Sequence, residues 1–359
     1  MIGITAAVAG VVALVWTGLD PPAVHGEAEA GPARLPEDHV FSLLAVGDTG
    51  DRLPWRPFGE GQRSVGRGMA AEDRRAPVDA VLLLGDNFYP DGLQRFELVE
   101  RLRRNLVGPF CRFASSDGPR WDQVASACSL PEDQRNPVPI LAVFGNHDYN
   151  SEESPALQRT VVPAYLANWS ASRDLVEANE LEAGVTLIRV DVEAVKKQSI
   201  GDPVRLALDR ARGRWRILIT HEPLTLREGE RPPAGSYKGL VRRAIADAFR
   251  APQLVLSGHD HNLQVAPLGL GRPALQVIAG GGSSRRALRQ PPYQQLGFGI
   301  ATTGFARIDL MGRGDEQGLR VSLFTMPCYP IHFWREPRLV SQWWIDQRGR
   351  AGRLYPAKS

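Results

Sequence analysis

Five short segments of this chain carry side chains that bind metal ions and activate water. Asp48 lies in Gly-Asp-Thr-Gly, Asp86 and Tyr89 in Gly-Asp-Asn-Phe-Tyr, and Asn146, His147 and Asp148 in Gly-Asn-His-Asp. His221 lies in Thr-His-Glu, and His259 and His261 in Gly-His-Asp-His. Four of the seven histidines fall in these segments, so imidazole is concentrated where carboxylates already are. A carboxylate able to bridge, imidazoles, an amide oxygen and a phenol form the donor set of a two-metal hydrolytic site. Such a pair of cations acidifies a bound water and neutralises charge that grows in an in-line displacement. Taken singly, each residue has a plainer reading: Asp48 as a turn or cap, Asn146 as a turn residue, Tyr89 as a rim or core aromatic, His221 as a buried core histidine. Five coincidences at the same kind of place argue for the joint reading.

That place is the end of a strand. Apolar runs at 41–46, 81–84, 140–144, 217–219 and 254–256 each precede one of the five segments, and short apolar runs bounded by turn residues read as buried strands. In four segments a glycine stands immediately before the ligand, where the chain leaves the strand sharply and its backbone must come close to the metals. Leu93, Phe96, Val99, Leu102 and Leu106 recur at three- or four-residue steps, which predicts a helix after the second segment. Helical spacing also covers 61–75, 204–212 and 238–249, while 185–192, 274–278, 299–310 and 319–325 read as strands. This alternation predicts an α/β domain with two sheets.

With 359 residues, 43% hydrophobic and 23% charged, the chain can bury a large core. A net charge of +3 is small for this size and does not by itself imply a nucleic-acid partner. Lysine is confined to positions 196, 197, 238 and 358, so nearly all of the 43 basic residues are arginines. Residues 2–19 are uncharged and lead into a Pro-, Glu- and Ala-rich stretch. Residues 1–37 are therefore read as a signal or membrane-anchor segment with its linker, followed by one domain over 38–330 and a tail, 331–359, of unassigned role. On this reading the globular part is exported, to a periplasmic or extracellular location, cleaved or membrane-anchored. Cys111 and Cys128 flank an irregular stretch and are expected to pair in an oxidising compartment, leaving Cys328 alone. His25, His39 and His332 have no such company and are read as structural or surface residues.

The five segments, in this order, resemble the calcineurin-like metallophosphoesterase superfamily. Gly-Asp-Asn-Phe-Tyr and the Gly-His-Asp-His-Asn-Leu-Gln that begins at Gly258 resemble its purple acid phosphatase branch, close to tartrate-resistant acid phosphatases. The resemblance spans about residues 40 to 310, and the mark of that branch is Tyr89 together with Asp48-Thr49-Gly50, which has no histidine where most of the superfamily has Asp-x-His. It implies a four-layer α-β-β-α sandwich with a dinuclear metal site at the carboxyl ends of strands. One metal takes Asp48, Asp86, Tyr89 and His261; the other takes Asp86, Asn146, His221 and His259. The implied metals are ferric iron at the first position and iron, zinc or manganese at the second. A phenolate is a hard donor that favours a trivalent ion, which supports that order independently. The implied reaction is hydrolysis of small phosphorylated substrates, monoesters first, by a hydroxide activated at the pair. His147 serves the leaving group, with Asp148 fixing its tautomer. A phosphodiesterase acting on nucleotides or lipid head groups is the alternative within the enzyme class, and a non-catalytic, metal-containing exported binding protein is the alternative outside it. Tyr149 stands where many relatives have another histidine, and Arg285 and Arg286 are candidate substrate contacts.

Overall fold

The computed structural model describes residues 22–50, 61–197, 203–326 and 336–356. Within them the strands in chain order are β1 (Val24–His25), β2 (His39–Val46), β3 (Ala80–Leu84), β4 (Ile140–Val143), β5 (Trp169–Ala171), β6 (Val176–Glu180), β7 (Val185–Val190) and β8 (Trp215–Ile219). They continue with β9 (Leu254–Ser257), β10 (Leu263–Pro267), β11 (Leu275–Ala279), β12 (Phe298–Ile300), β13 (Gly304–Met311), β14 (Gly318–Thr325), β15 (Arg338–Ile345) and β16 (Ala351–Tyr355). The helices are α1 (Gly61–Arg75), α2 (Leu98–Leu102), α3 (Ser154–Thr160), α4 (Val192–Lys197), α5 (Pro203–Arg210) and α6 (Tyr237–Asp247).

Two eight-stranded sheets result, ordered β16-β15-β14-β13-β2-β3-β4-β5 and β1-β12-β10-β11-β9-β8-β7-β6. Each holds four adjacent parallel strands, β2 to β5 in one and β7, β8, β9 and β11 in the other. Parallel strands must be covered on both faces, and period-two alternation supplies both. Leu43, Ala45, Leu82 and Leu84 meet Leu187, Ile217, Ile219, Leu254 and Leu256 between the sheets. The alternate residues Leu44, Val46, Val81 and Leu83 face outward onto Val65 and Met69 of α1. Ile188, Leu218 and Val255 do the same for the other sheet, onto Val204 and Leu208 of α5 and Val241 and Ile245 of α6. Three apolar interfaces thus stack four layers in the order α-β-β-α.

The strands that deliver the metal-binding segments and the helix over 61–75 lie where the sequence places them. Two other expectations need correction. The helix expected across Leu93 to Leu106 is a 3-10 turn at Arg95–Glu97, then the short α2, then a π turn at Arg103–Val107. Its changing pitch takes Phe96 off the apolar face, and that ring is 79% exposed. The strand expected over 299–310 is two strands in different sheets, β12 and β13, because the chain crosses between the layers at residues 301–303. Gly304 begins β13 so close to its neighbour that a Cβ there would lie 2.0 Å from the Phe324 carbonyl oxygen.

Both ends of the described chain join the sheets. β1 pairs with β12, and Ala30 bridges Arg353. β15 and β16 extend the β2 sheet, with Val340, Trp343 and Ile345 in the inter-sheet core. The indole of Trp344 lies over Gly318, where a Cβ would come within 2.1 Å of the ring. Cys111 and Cys128 are joined in a disulfide with Cα atoms 5.0 Å apart. The uncharged stretch 2–19 and Cys328 lie outside the described residues. Among the described residues no helix is long and apolar enough to cross a membrane.

Candidate metal centre

The carboxyl ends of β2, β3, β4, β8 and β9 converge, which is where open parallel sheets place ligands. Asp48, Asp86 and His221 are almost completely buried, and their ligand atoms lie within 4.8 Å of one another. The Tyr89 Oη stands 2.8 Å from Asp48 Oδ1, 2.7 Å from Asp86 Oδ2 and 3.1 Å from His261 Nε2. One hydroxyl hydrogen cannot serve three acceptors, so lone pairs face one another at hydrogen-bond distance, as they do around a cation. A second group adjoins this one through Asp86: His221 Nε2 is 3.4 Å from the same Oδ2, and His259 Nδ1 is 3.3 Å from His221 Nε2. Asn146 sits between two residues that crowd Asp86, and its Oδ1 is buried without a hydrogen-bond partner. A buried amide oxygen in that condition is costly unless a cation or other bound group satisfies it.

Backbone groups aim these donors. Asp48 turns Oδ1 into the centre while Oδ2 accepts the His259 N–H at 2.7 Å. In the same way Asp86 turns Oδ2 inward while Oδ1 accepts the His147 N–H at 2.9 Å. A bridge through both Asp86 oxygens is the simplest expectation for a shared carboxylate; here Oδ2 alone faces both groups. His221 Nδ1 donates to the Leu84 carbonyl at 2.8 Å, which leaves Nε2 with its lone pair toward Asp86. His261 Nδ1 is fixed by Ser284 Oγ at 2.7 Å, and Nε2 is again the inward atom.

The strain lies on the candidate ligands themselves. Asp48, Asp86, His259 and His261 all have left-handed backbone, with φ of 61°, 53°, 70° and 51°. For residues other than glycine such conformations cost about 1 to 3 kcal/mol each and cluster at functional sites. Gly85, at φ 91°, absorbs the exit from β3 as the sequence suggests; Gly145 and Gly258 serve close approach instead. A Cβ on Gly258 would lie 2.6 Å from Asp48 Oδ2, and one on Gly145 only 2.2 Å from Asp86 Oδ1 and 2.7 Å from His221 Nε2. Gly145→Ala is therefore expected to displace the groups around Asp86. Elemental analysis should show metal content falling toward about one ion per chain, with turnover lower by roughly 10²-fold; full metal content would mean that the site tolerates the methyl group.

Electrostatics point the same way. Burial, with Asp86 adding to it, raises the Asp48 carboxyl to about 7, and burial beside both carboxylates pushes the Tyr89 phenol well above its usual value near 10. Burial depresses His259 to about 4 and His261, beside Arg286, to about 3. Burial opposes the charge on His221, but Asp86 outweighs it and raises the imidazole to about 10. A protein-only cluster thus drives Asp48 and Tyr89 toward neutrality, while His221 holds the Asp86 carboxyl ionised and itself takes up a proton. Cations in the centre reverse that logic, since they favour carboxylate, phenolate and neutral imidazole together. The donor set fits two metals: Asp48, Asp86, Tyr89 and His261 would hold one, and Asp86, Asn146, His221 and His259 the other.

Asp148 does not fix the His147 tautomer. Its fully buried carboxylate accepts the backbone N–H groups of Asn87, Phe88 and Gly145 at 3.0 to 3.2 Å and Nε2 of Gln158 at 2.9 Å. It ties the loops after β3 and β4 together, and burial with the nearby Asp86 charge raises it to about 6. His147 instead has Nδ1 2.7 Å from the Pro90 carbonyl, and its ring lies 4.5 Å from that of Tyr89. Sequence reasoning also missed the Asp260 clamp. Asp260, between two ligands, is held by Arg227 Nη2 and Tyr293 Oη, both at 2.8 Å. These partners lie 33 residues to either side and have no local signal.

Residues 41–263 match the family model for calcineurin-like phosphoesterases. That span is more than half of the chain. The chain belongs to the calcineurin-like phosphoesterases. Membership, together with the buried Asp/His cluster, makes it a metal-dependent hydrolase of phosphoric esters. Purple acid phosphatase 3 of Arabidopsis thaliana is 21% identical over 330 residues, covering 83% of this chain and 78% of that relative. Among solved structures, GAP50, described as the anchor in the inner membrane complex of Plasmodium, superposes with a TM-score of 0.57 at 13% identity, over 84% of this chain and 89% of its own. PhoD superposes with a TM-score of 0.55 at 10% identity, over 92% of this chain and 74% of its own. At those identities the two structures bear on this phosphoesterase's fold alone.

Proposed function

We propose that this phosphoesterase is an exported, purple-acid-phosphatase-like hydrolase of phosphomonoesters, with ferric iron at the Tyr89 position and iron, zinc or manganese at the other. The observation that carries the reading is the approach of Tyr89 Oη to ligand atoms of Asp48, Asp86 and His261, all within 3.1 Å. A phenolate there is a hard donor suited to a trivalent ion. When bound, the metals supply an acidified water and charge to hold phosphate oxygens. His147, partly exposed beside Tyr89, has Nδ1 committed to the Pro90 carbonyl, so Nε2 is the nitrogen that gives a proton to the leaving group. Asn150 donates to the same carbonyl at 2.8 Å and steadies it. Arg286 reaches the rim beside His261, whose imidazole it already depresses, and is placed to meet an anionic substrate. The test is a screen of metal-loaded protein against matched monoesters and diesters. Faster turnover of monoesters is expected; preference for diesters would move the protein to the phosphodiesterase reading, and hydrolysis of neither would point to a binding protein.

Export is supported by the Cys111–Cys128 disulfide, since such bonds persist in oxidising compartments. With its cysteines 17 positions apart in sequence, it stabilises the fold by about 3 kcal/mol in the chain-entropy model. Peptide mapping without reductant is expected to recover the linked pair from protein collected outside the cytoplasm. Recovery of two free thiols there would remove this support.

A further inference from the structure

The turn after β9 places Asp260 between two histidines whose backbone is strained. His259 and His261, at φ 70° and 51°, bring Nδ1 to His221 and Nε2 to Tyr89, whereas the buried Asp260 carboxylate is taken up by other partners. Its Oδ2 accepts from Arg227 Nη2 and Tyr293 Oη, both at 2.8 Å, and from Gln264 Nε2 at 3.3 Å. Its Oδ1 has no hydrogen bond and lies 3.6 Å from Arg289 Nε. Left-handed residues other than glycine persist only where their surroundings over-determine them, and here a largely buried ion pair and a buried phenol supply that constraint.

The two partners are themselves fixed to each other. Arg227 follows His221 in the loop after β8, and Tyr293 lies in the loop after β11. Their backbones form an antiparallel bridge, flanked by Glu228 N–H to the Pro292 carbonyl at 3.0 Å and Gln294 N–H to the Leu226 carbonyl at 2.8 Å. The Arg227 guanidinium lies 4.2 Å over the Tyr293 ring, and its Nη2 is 3.0 Å from Tyr293 Oη. The loop after β11 also holds His261 from its other end, through Ser284 Oγ on Nδ1 at 2.7 Å and the Arg286 N–H on the His261 carbonyl at 2.8 Å. One carboxylate therefore ties together the loops that carry His221, the His259 and His261 pair, and Ser284.

We propose that Asp260 is a positioning residue for the metal pair: clamped by Arg227 and Tyr293, it holds the turn in the conformation that sends His259 to one metal and His261 to the other. It acts on both positions at once without touching either ion. The inference rests on the assignment of those two histidines as ligands. Groups that orient metal ligands from outside the shell are worth about 10- to 100-fold in metal affinity or rate. Tyr293→Phe is the mildest probe, since it deletes one hydrogen bond to Asp260 and keeps the ring under Arg227.

Metal-loaded parent and variants are dialysed against graded EDTA, retained metal is read by elemental analysis, and kcat and KM are measured at saturating metal on whichever of a matched aryl monoester and diester the parent hydrolyses. Asp260→Ala is expected to hold metal at least about tenfold more weakly and to lose about 10- to 100-fold in kcat, with KM close to the parental value. Tyr293→Phe should shift both readouts in the same direction by less, and it decides the matter if Asp260→Ala folds poorly. Asp260→Asn, which keeps an oxygen for Arg227 and Tyr293, should recover part of the loss. His259→Ala and His261→Ala are the controls and should shed metal. Retention of both metals by these two would defeat the ligand assignment and the positioning role with it. Metal loss in the histidine variants, beside parental metal retention and kcat in Asp260→Ala and Tyr293→Phe with only a lower melting temperature, would overturn the positioning role alone.

Discussion

Asp86→Asn protein is expected to retain its fold, to lose metal from both positions and to lose at least about 10³-fold in turnover. The substitution is nearly isosteric, and an amide oxygen can still accept the His147 N–H that Asp86 Oδ1 accepts at 2.9 Å. What changes is the inward atom. Oδ2 faces Tyr89 Oη at 2.7 Å and His221 Nε2 at 3.4 Å, so an NH₂ group placed there presents hydrogens to both halves of the centre at once. Loss of a single metal would indicate that Asp86 serves one position and does not bridge. Elemental analysis beside a steady-state rate distinguishes these outcomes.

His147→Ala is expected to behave in the opposite way, keeping both metals and losing roughly 10²- to 10⁴-fold in turnover, the usual contribution of a positioned acid or base. Its ring packs against Tyr89, but its Nδ1 is bound to a backbone carbonyl and so is not available as a ligand. The loss should shrink for esters whose leaving groups need no proton. If the variant is short of metal, His147 belongs to the ligand shell. If it turns over a poor leaving group at the parental rate, the proton comes from elsewhere.

The strands that carry the ligands were legible in the sequence because each is a short, fully buried apolar run that stops at a polar turn, as at 81–84 before Asp86 and 254–256 before His259. The helix over 61–75 was legible because its apolar and small residues recur on one face against the sheet. Local pattern fails where a partner is remote. Nothing near Asp148 reveals that three backbone amides will claim its carboxylate, and nothing near Asp260 reveals Arg227 or Tyr293. The crossing at residues 301–303 is hidden for a related reason, since apolar residues continue on both sides while the sheet they join changes. The strands β15 and β16 escaped notice because the tryptophans of β15 lie among arginines, and their burial depends on the inter-sheet core and on Gly318 beneath Trp344. The left-handed conformations of Asp48, Asp86, His259 and His261 have no signature beyond the adjacent glycines.

The central claim is that Tyr89 is a phenolate on ferric iron, and its most direct measurement is the visible spectrum of concentrated protein beside its metal content, for the parent and for Tyr89→Phe. The parent is expected to be violet to pink from phenolate-to-iron charge transfer and to hold about two metal ions per chain, at least one of them iron. Tyr89→Phe keeps the ring that lies 4.5 Å from His147 and removes only the oxygen that meets Asp48, Asp86 and His261. The band should disappear, and the metal on that side should be held less tightly with one anionic donor gone. An iron-loaded parent without a band, or a variant that retains it, would contradict the assignment and leave Tyr89 as an aromatic at the rim of an ordinary phosphoesterase centre.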